Sequence, residues 1–351
     1  MNTNKKLRIA FVTYNTLFQR IGGLQEQIKQ TRNELLKKGH FVTLFKDIDD
    51  TLTDFDLVHV FGLNHANYVW ITESLRNNIP VVISPLVRPN WSWLDKIKIK
   101  ISNTISSQLL AGIPGKGIFS SFEYSRQALF SASAILVQSD KEQSTIQSIF
   151  NLEHHPHFHK VQNGLNLAYK APFTSEKIEK NYIFVPGSIY SHKNQVLLTD
   201  KTKSVGITLK YAGDILDQKY FQQLTSNKYK HVEYVGVFSS ASPELISLYE
   251  NAKLTILYSK SETFGLVAIE SLARGTPVVM TNKTGLNTES LAPYLLSVEP
   301  GDTAQLVKAI DTLKDVKIDS EFIERIQKEY SWEKIAHQIE AIYLNILQSN
   351  D

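Results

Sequence analysis

Short apolar runs rich in β-branched residues recur along the chain, at Ile9–Val12, Leu57–Phe61, Val81–Ile83, Ala134–Val137, Tyr182–Val185, Lys253–Tyr258 and Val278–Met280. Runs of this kind between polar turns predict buried strands of a parallel sheet, and the longer stretches between them predict helices. One amphipathic helix follows Gly22-Gly23, passes through Leu35-Leu36-Lys37-Lys38 and ends at Gly39. The alternation resumes after about residue 170, which argues for two doubly wound α/β halves. The polar segment after Asn166, with Lys170 and Pro172, reads as the linker between residues 1–168 and 169–332. The run after Lys5, Lys6 and Arg8 is too short for an export signal and lacks a small-residue cleavage site, so it reads as the first strand. No stretch is long enough to span a bilayer as a helix.

The most informative stretch is Ser259–Val279, which sets two carboxylates around the start of an otherwise apolar helix. The helix is expected over about Phe264–Arg274, with Ser261 or Thr263 as its N-cap. Gly275 suits the left-handed residue after its end and Pro277 forbids continuation. Leu266, Val267, Ala268, Ile269, Leu272 and Ala273 leave little polar surface, so Glu270 is expected to be partly enclosed and to need hydroxyl or amide donors. Glu262 stands at the carboxyl end of the preceding strand, where open α/β sheets bind ligands and free helix N–H groups attract phosphate. A purely structural alternative has Glu262 favouring the helix dipole and Glu270 meeting a buried Arg or Lys.

Composition narrows the chemistry by exclusion. The 351 residues are 42% hydrophobic and 21% charged, ordinary for a globular protein, and suggest two domains. With no cysteine, disulfides, thiolate catalysis and cysteine-ligated zinc or iron–sulfur sites are excluded. The first glycine turn, around Gly22-Gly23, lacks both G-x-G-x-x-G and G-x-x-x-x-G-K, which disfavours a dinucleotide fingerprint or a P-loop. A net charge of +3, with basic residues balanced by acids over most of the chain, gives no support to nucleic-acid binding.

The pattern E-T-F-G-L-x-x-x-E-S-x-A-x-G-T-P-V-V over 262–279 resembles the E-x7-E signature of retaining glycosyltransferases of family 4, which have the GT-B fold. Other segments resemble that family in its order. These are Gly22-Gly23, Lys38-Gly39-His40-Phe41-Val42, Val161-Gln162-Asn163-Gly164-Leu165-Asn166, Val185-Pro186-Gly187-Ser188 with Lys193-Asn194, Tyr211-Ala212-Gly213-Asp214 and Leu248-Tyr249-Glu250-Asn251-Ala252. The resemblance implies two Rossmann-like domains facing a cleft, an acceptor-side domain over 1–168 completed by the last helix (about 333–351), and a nucleotide-sugar-binding domain over 169–332. It implies that Lys193 holds the donor diphosphate, Glu270 accepts from the ribose hydroxyls and Glu262 orients the transferred sugar. Gly22, Gly23, Gly187, Ser188, Thr263, Phe264, Gly265 and Leu266 complete the expected donor-binding set. It further implies a metal-independent reaction with no cofactor, a nucleotide-diphosphate sugar as donor, and a glycan or lipid-linked acceptor in bacterial surface polysaccharide or glycoconjugate synthesis.

The chain departs from the family in two places. Ser188 stands where arginine usually follows the loop glycine, so one phosphate cation is missing, and Arg20 is the candidate replacement. Ser84-Pro85-Leu86 stands where a histidine is usual, which leaves His65 and Arg88, with Arg20, as acceptor-side candidates. A nucleotide-sugar epimerase of similar fold and a two-domain sugar-binding protein are the competing readings. The second is disfavoured by the missing export signal.

Three further clusters carry chemistry-bearing side chains. Asp47-Ile48-Asp49 matches a metal-binding D-x-D but lies in an acidic run and reads as a solvated loop. His154, His155, His157 and His159 read as a solvent-facing loop, because three imidazoles make a metal site only with oriented partners. In 88–126, Trp91, Trp93, Leu94, Ile97, Ile99 and Ile101 interleave with Lys96, Lys98 and Lys100. That pattern suits either packing on the first domain or docking on an anionic membrane surface, at the inner face of a cytoplasmic membrane.

Overall fold

The computed structural model describes residues 5–14, 17, 23–46, 49–87, 117–155, 157–166, 180–240 and 242–349. In chain order the first elements are β1 (Arg8–Val12), α1 (Gly23–Lys37), β2 (Phe41–Leu44), β3 (Leu57–Phe61), α2 (His65–Arg76), β4 (Val81–Ser84), α3 (Gly117–Phe130), β5 (Ala134–Val137), α4 (Asp140–Phe150) and β6 (Phe158–Lys160). There follow β7 (Tyr182–Pro186), α5 (Gln195–Lys201), β8 (Thr208–Ala212), α6 (Gln218–Leu224), β9 (Val232–Gly236), α7 (Pro243–Glu250), β10 (Ala252–Leu257), α8 (Leu266–Ala273) and β11 (Val278–Thr281). The chain closes with β12 (Leu295–Val298), α9 (Thr303–Leu313), α10 (Ser320–Glu329) and α11 (Trp332–Ser349).

The chain divides into two units, 1–163 with 332–351, and 164–331. Each is built on a six-stranded parallel sheet, in the orders β2-β1-β3-β4-β5-β6 and β12-β11-β10-β7-β8-β9. In both, the strand order reverses beside the first strand of the unit, the arrangement that opens a crevice at the carboxyl ends of the strands. The apolar runs are unbroken because both faces are covered. On β1, Ile9 and Phe11 enter one core while Ala10 and Val12 enter the other. On β7, Ile183 and Val185 face one core and Tyr182 and Phe184 the opposite one. This is the burial that parallel strands require.

Two expectations need correction. The histidine cluster is not simply a solvent-facing loop: Phe158–Lys160 forms the edge strand β6, and His155 and His159 are half-buried. A three-residue strand with histidine in it carries too little apolar periodicity to be seen. His154, His155, His157 and His159 line a cavity of about 710 Å³ with Phe130 and the end of α11. Among the described residues, no three His, Asp or Glu side chains converge at metal-binding range. The helix after Glu262 begins later than expected, at Leu266, and its N-cap is Gly265 in the left-handed conformation rather than Ser261 or Thr263. Asp47 and Ile48, the linker around Lys170 and Pro172, and residues 88–116 lie outside the described residues. No described helix is long and apolar enough to cross a membrane.

The last helix is held onto the first unit by polar as well as apolar contacts. Trp332, Ile335, Ile339 and Tyr343 enter the core beside β1 and β3. Glu340 receives Lys38 Nζ at 2.7 Å and His40 Nε2 at 2.8 Å, while His40 Nδ1 accepts from the Leu7 backbone N–H at 3.2 Å. Gly39, at φ +87°, makes the turn that aims His40 there. Deeper in, His59 lies between Tyr343 Oη (2.6 Å) and Ser84 Oγ (2.9 Å), and burial pushes its pKa down to about 3, so it is neutral.

Glu340 generates a test. Burial raises its pKa, but hydrogen bonds from Lys38, His40 and His337 outweigh that and hold it near 2, below the ordinary 4.5. Its stabilisation is therefore present above about pH 4.5 and is lost as the pH falls towards 2. In urea unfolding, Glu340→Gln is expected to cost about 2 kcal/mol at neutral pH, with the gap from wild type closing towards pH 2. A gap independent of pH would contradict this account.

Candidate active site

Four loops of the carboxyl-terminal unit meet at the carboxyl ends of β7, β8, β10 and β11, and backbone contacts make them one piece. Gly187 follows β7 at φ +131°, and its N–H donates to Ala212 O at 2.8 Å. Gly213, at φ +143°, lies so close that a Cβ there would stand 2.3 Å from Gly187 O. Lys193 ends a single 3-10 turn, Ser191–Lys193, and its stem passes over Gly187, with Cε 3.6 Å from where a Cβ would be. Ser188 does not reach out as an arginine would; its carbonyl accepts from Gln195 Nε2 at 2.8 Å. The 190–194 turn is tied to the loop after β10 by Lys260 N–H to His192 O (2.8 Å) and His192 Nε2 to Ser261 O (2.9 Å). That loop is in turn stitched to the one after β11 through Glu262 N–H to Lys283 O and Gly285 N–H to Glu262 O.

The structure brings Lys193 and Glu262 together. Lys193 Nζ donates to Glu262 Oε1 at 2.5 Å, and Ser259 Oγ donates to the same oxygen at 2.5 Å. Both charged side chains remain about one-fifth exposed, 22% and 17%, so the pair is open to solvent and to exchange of partner. Thr263 is half-buried; Phe264 is buried against Tyr330 and holds the turn down. Gly265 then reverses into α8 at φ 84°, and a Cβ there would crowd Met280 at 3.2 Å. As a glycine N-cap it supplies no side-chain acceptor to the first turn of α8, where the Ala268 N–H turns back to Gly265 O at 2.9 Å. Glu270, one turn along α8, finds the hydroxyl donor its enclosure calls for in Tyr249, at 2.8 Å. The buried arginine of the helix, Arg274, pairs with Glu250.

The amino-terminal unit has its own polar feature at the carboxyl ends of β4 and β5. Glu142, fully buried, accepts from the Val87 and Gln138 backbone N–H groups, each at 2.7 Å. Burial pushes its carboxyl up to about 7, against the opposing pull of those two donors. It fixes the loop after β4, where Leu86 is held at φ 57°. Nothing in the sequence sets this residue apart, because a Glu in the first turn of a helix is usually a dipole partner. Of the acceptor-side candidates, His65 opens α2 just beyond β3 but its side chain is outside the described residues, as are Arg20, Arg88 and Gly22. Gly23 is the exposed first residue of α1. Ser259, His192 and Tyr249 hold the expected residues in place, roles that the sequence signals only for Ser259, by its spacing three before Glu262.

Comparison with known proteins agrees with this architecture. Residues 170–342 match the family described as Glycosyl transferases group 1. Sequence relatives include a glycosyltransferase of Methanocaldococcus jannaschii, 27% identical over 46% of this chain and 48% of that protein. Another is the D-inositol 3-phosphate glycosyltransferase of Corynebacterium urealyticum, 33% identical over 29% of this chain and 26% of that protein. The chain thus matches less than half the length of these relatives. Solved structures of similar fold include a sucrose-phosphate synthase of Thermosynechococcus elongatus, with TM-score 0.72, 16% identity and coverage of 97% of this chain and 100% of that one. WaaG, a glycosyltransferase involved in lipopolysaccharide biosynthesis, gives TM-score 0.59, 14% identity and 94% coverage of each chain. The two parallel sheets and their helices are therefore those of the GT-B fold. The matched segment, which spans most of the carboxyl-terminal unit, is similar to the group 1 glycosyl transferases.

The contact between Gly213 and Gly187 is steep enough to test. In Gly213→Ala the methyl group meets backbone rather than a movable side chain, and the residue's φ is also unfavourable, so a loss of about 2–4 kcal/mol is expected. Thermal unfolding checks it, with Gly206→Ala, where the space is open, as the milder reference.

Proposed function

We propose that the protein is a retaining glycosyltransferase of family 4 that moves a sugar from a nucleotide-diphosphate donor to a glycan or lipid-linked acceptor, in surface polysaccharide or glycoconjugate synthesis. The observation that carries this reading is the Lys193–Glu262 pair beside the glycine-capped start of α8, with Glu270 farther along the same helix. In the reading, the carboxyl-terminal unit binds the donor, and the amino-terminal unit, completed by α11, takes the acceptor.

Transfer breaks the bond between the anomeric carbon and the diphosphate oxygen and makes one to an acceptor oxygen, whose proton leaves with the phosphate. The departing diphosphate gains negative charge, so the step is fastest where cationic charge and N–H donors already wait for it. Lys193 and the first turn of α8 supply both, and no metal step is invoked. The donor phosphate displaces Glu262 as the partner of Lys193, which releases that carboxylate to accept from the sugar hydroxyls. Glu270 accepts from the ribose. With Ser188 in place of arginine, Lys193 carries most of the phosphate neutralisation within its loop. Retention of configuration is assigned to front-face substitution steered by the leaving phosphate.

Glu262→Ala is expected to abolish sugar transfer while keeping nucleotide affinity within a few-fold. Lys193→Ala should weaken nucleotide binding and reduce turnover by about 10²–10³-fold. Calorimetry with a panel of nucleoside diphosphates, followed by transfer assays with the matching sugar donors, checks both, and full turnover by either variant would refute the assignment. Consumption of donor without any acceptor would favour an epimerase.

The interleaved lysines and tryptophans of 88–126 are included in the reading as a membrane-docking segment. Flotation with anionic liposomes is expected for wild type and not for a charge reversal at Lys96, Lys98 and Lys100; equal flotation would remove this part.

A further inference from the structure

At the junction between α7 and α8, two adjacent residues at the end of α7 grip α8 and its C-cap one turn apart: Tyr249 Oη donates to Glu270 Oε2 at 2.8 Å, and Glu250 pairs with the C-cap Arg274. Tyr249 itself has little freedom. It is 1% exposed, its ring stands edge-on to Phe184 at 5.0 Å, and its carbonyl accepts from the buried Thr276 Oγ1 at 2.7 Å. Thr276 is tied back to α8, since Ser271 Oγ lies 2.9 Å from Thr276 O and 2.8 Å from Thr255 Oγ1 on β10. The phenol hydroxyl is thus fixed with respect to α8 from both sides.

We propose that Tyr249 is the positioning residue for Glu270, and that through it the chain favours a donor with an intact ribose over its deoxy counterparts. This inference rests on the glycosyltransferase reading. A glutamate on a helix surface explores several rotamers, and ordering it when a ligand arrives costs up to about 2 kcal/mol. A phenol donating to one carboxylate oxygen makes a charge-assisted hydrogen bond, which favours the ionised form and sets the carboxylate plane before the nucleotide binds. An ionised, fixed carboxylate is an acceptor matched to a vicinal diol, whose two hydroxyls donate in known directions. The Glu250–Arg274 pair beside it is deeply buried and has a different task, locking the helices against each other. Separate residues thus order the helix and aim its carboxylate.

Tyr249→Phe removes one oxygen and leaves the ring packing on Phe184 in place. The test is calorimetric binding of whichever of UDP, GDP and ADP binds most tightly, set against its 2′-deoxy and 3′-deoxy forms, on the full chain. Wild type is expected to prefer the ribonucleotide by about tenfold or more. Tyr249→Phe should lose most of that preference by weakening ribonucleotide binding about tenfold, with deoxynucleotide binding unchanged and Tm within a few degrees. Glu270→Gln, on the half-exposed face of α8, should show the same loss of preference, and the double variant no further loss. Wild-type preference retained in either variant, or ribo and deoxy forms weakened equally, overturns the inference and leaves the glycosyltransferase reading standing. Equal wild-type affinity for both forms does the same. Failure of wild type to bind any of the three diphosphates overturns the reading and this inference together.

Discussion

A carboxylate taken partly out of water needs donors, and the carboxyl-terminal unit is organised around meeting that need for Glu262 and Glu270 at once. Glu262 obtains Lys193 and Ser259 from two different loops, and Glu270 obtains Tyr249 from the preceding helix. Each donor is itself held by something else: Lys193 by the turn that His192 ties down, Ser259 by Thr281 Oγ1, Tyr249 by Phe184 and Thr276. The site is therefore a set of short loops that lock one another. The rigid partners are strands β7, β8, β10 and β11, whose parallel register brings all four loop starts to one edge.

Glycine is used where two backbones must nearly touch. Gly213 against Gly187 leaves no room for a side chain, and Gly265 must turn left-handed under Met280 to start α8. The second has a chemical consequence. A Ser or Thr cap would satisfy the first N–H groups of the helix, whereas glycine leaves them for an anion.

The amino-terminal unit solves the same problem of buried polarity for a structural end. His40 and Glu340 bind the returning helix to the start of the sheet, and His59 joins three elements through Tyr343 and Ser84. Glu142 does for the loops after β4 and β5 what no apolar side chain could, satisfying two backbone N–H groups at once. These contacts explain why the histidine after Gly39 and the Tyr near the chain's end occur in otherwise apolar surroundings. They link residues about 300 apart in sequence.

Local pattern was enough to place most strands, the two doubly wound halves and the region of the candidate site. A parallel strand covered on both faces must be apolar without interruption, and a helix that carries acids on an apolar background must have a use for them. Pattern failed where the informative contact was not local: the short edge strand β6, the exact start of α8 and the role of Glu142. The amino-acid sequence by itself determined the alternating β-α order and which charged side chains would need partners, because burial and chain geometry act over neighbouring residues. Which partner each one received, Lys193 for Glu262, Tyr249 for Glu270, His40 for Glu340, was decided only by the tertiary structure, since hydrogen bonds of under 3 Å depend on how distant loops are held against one another.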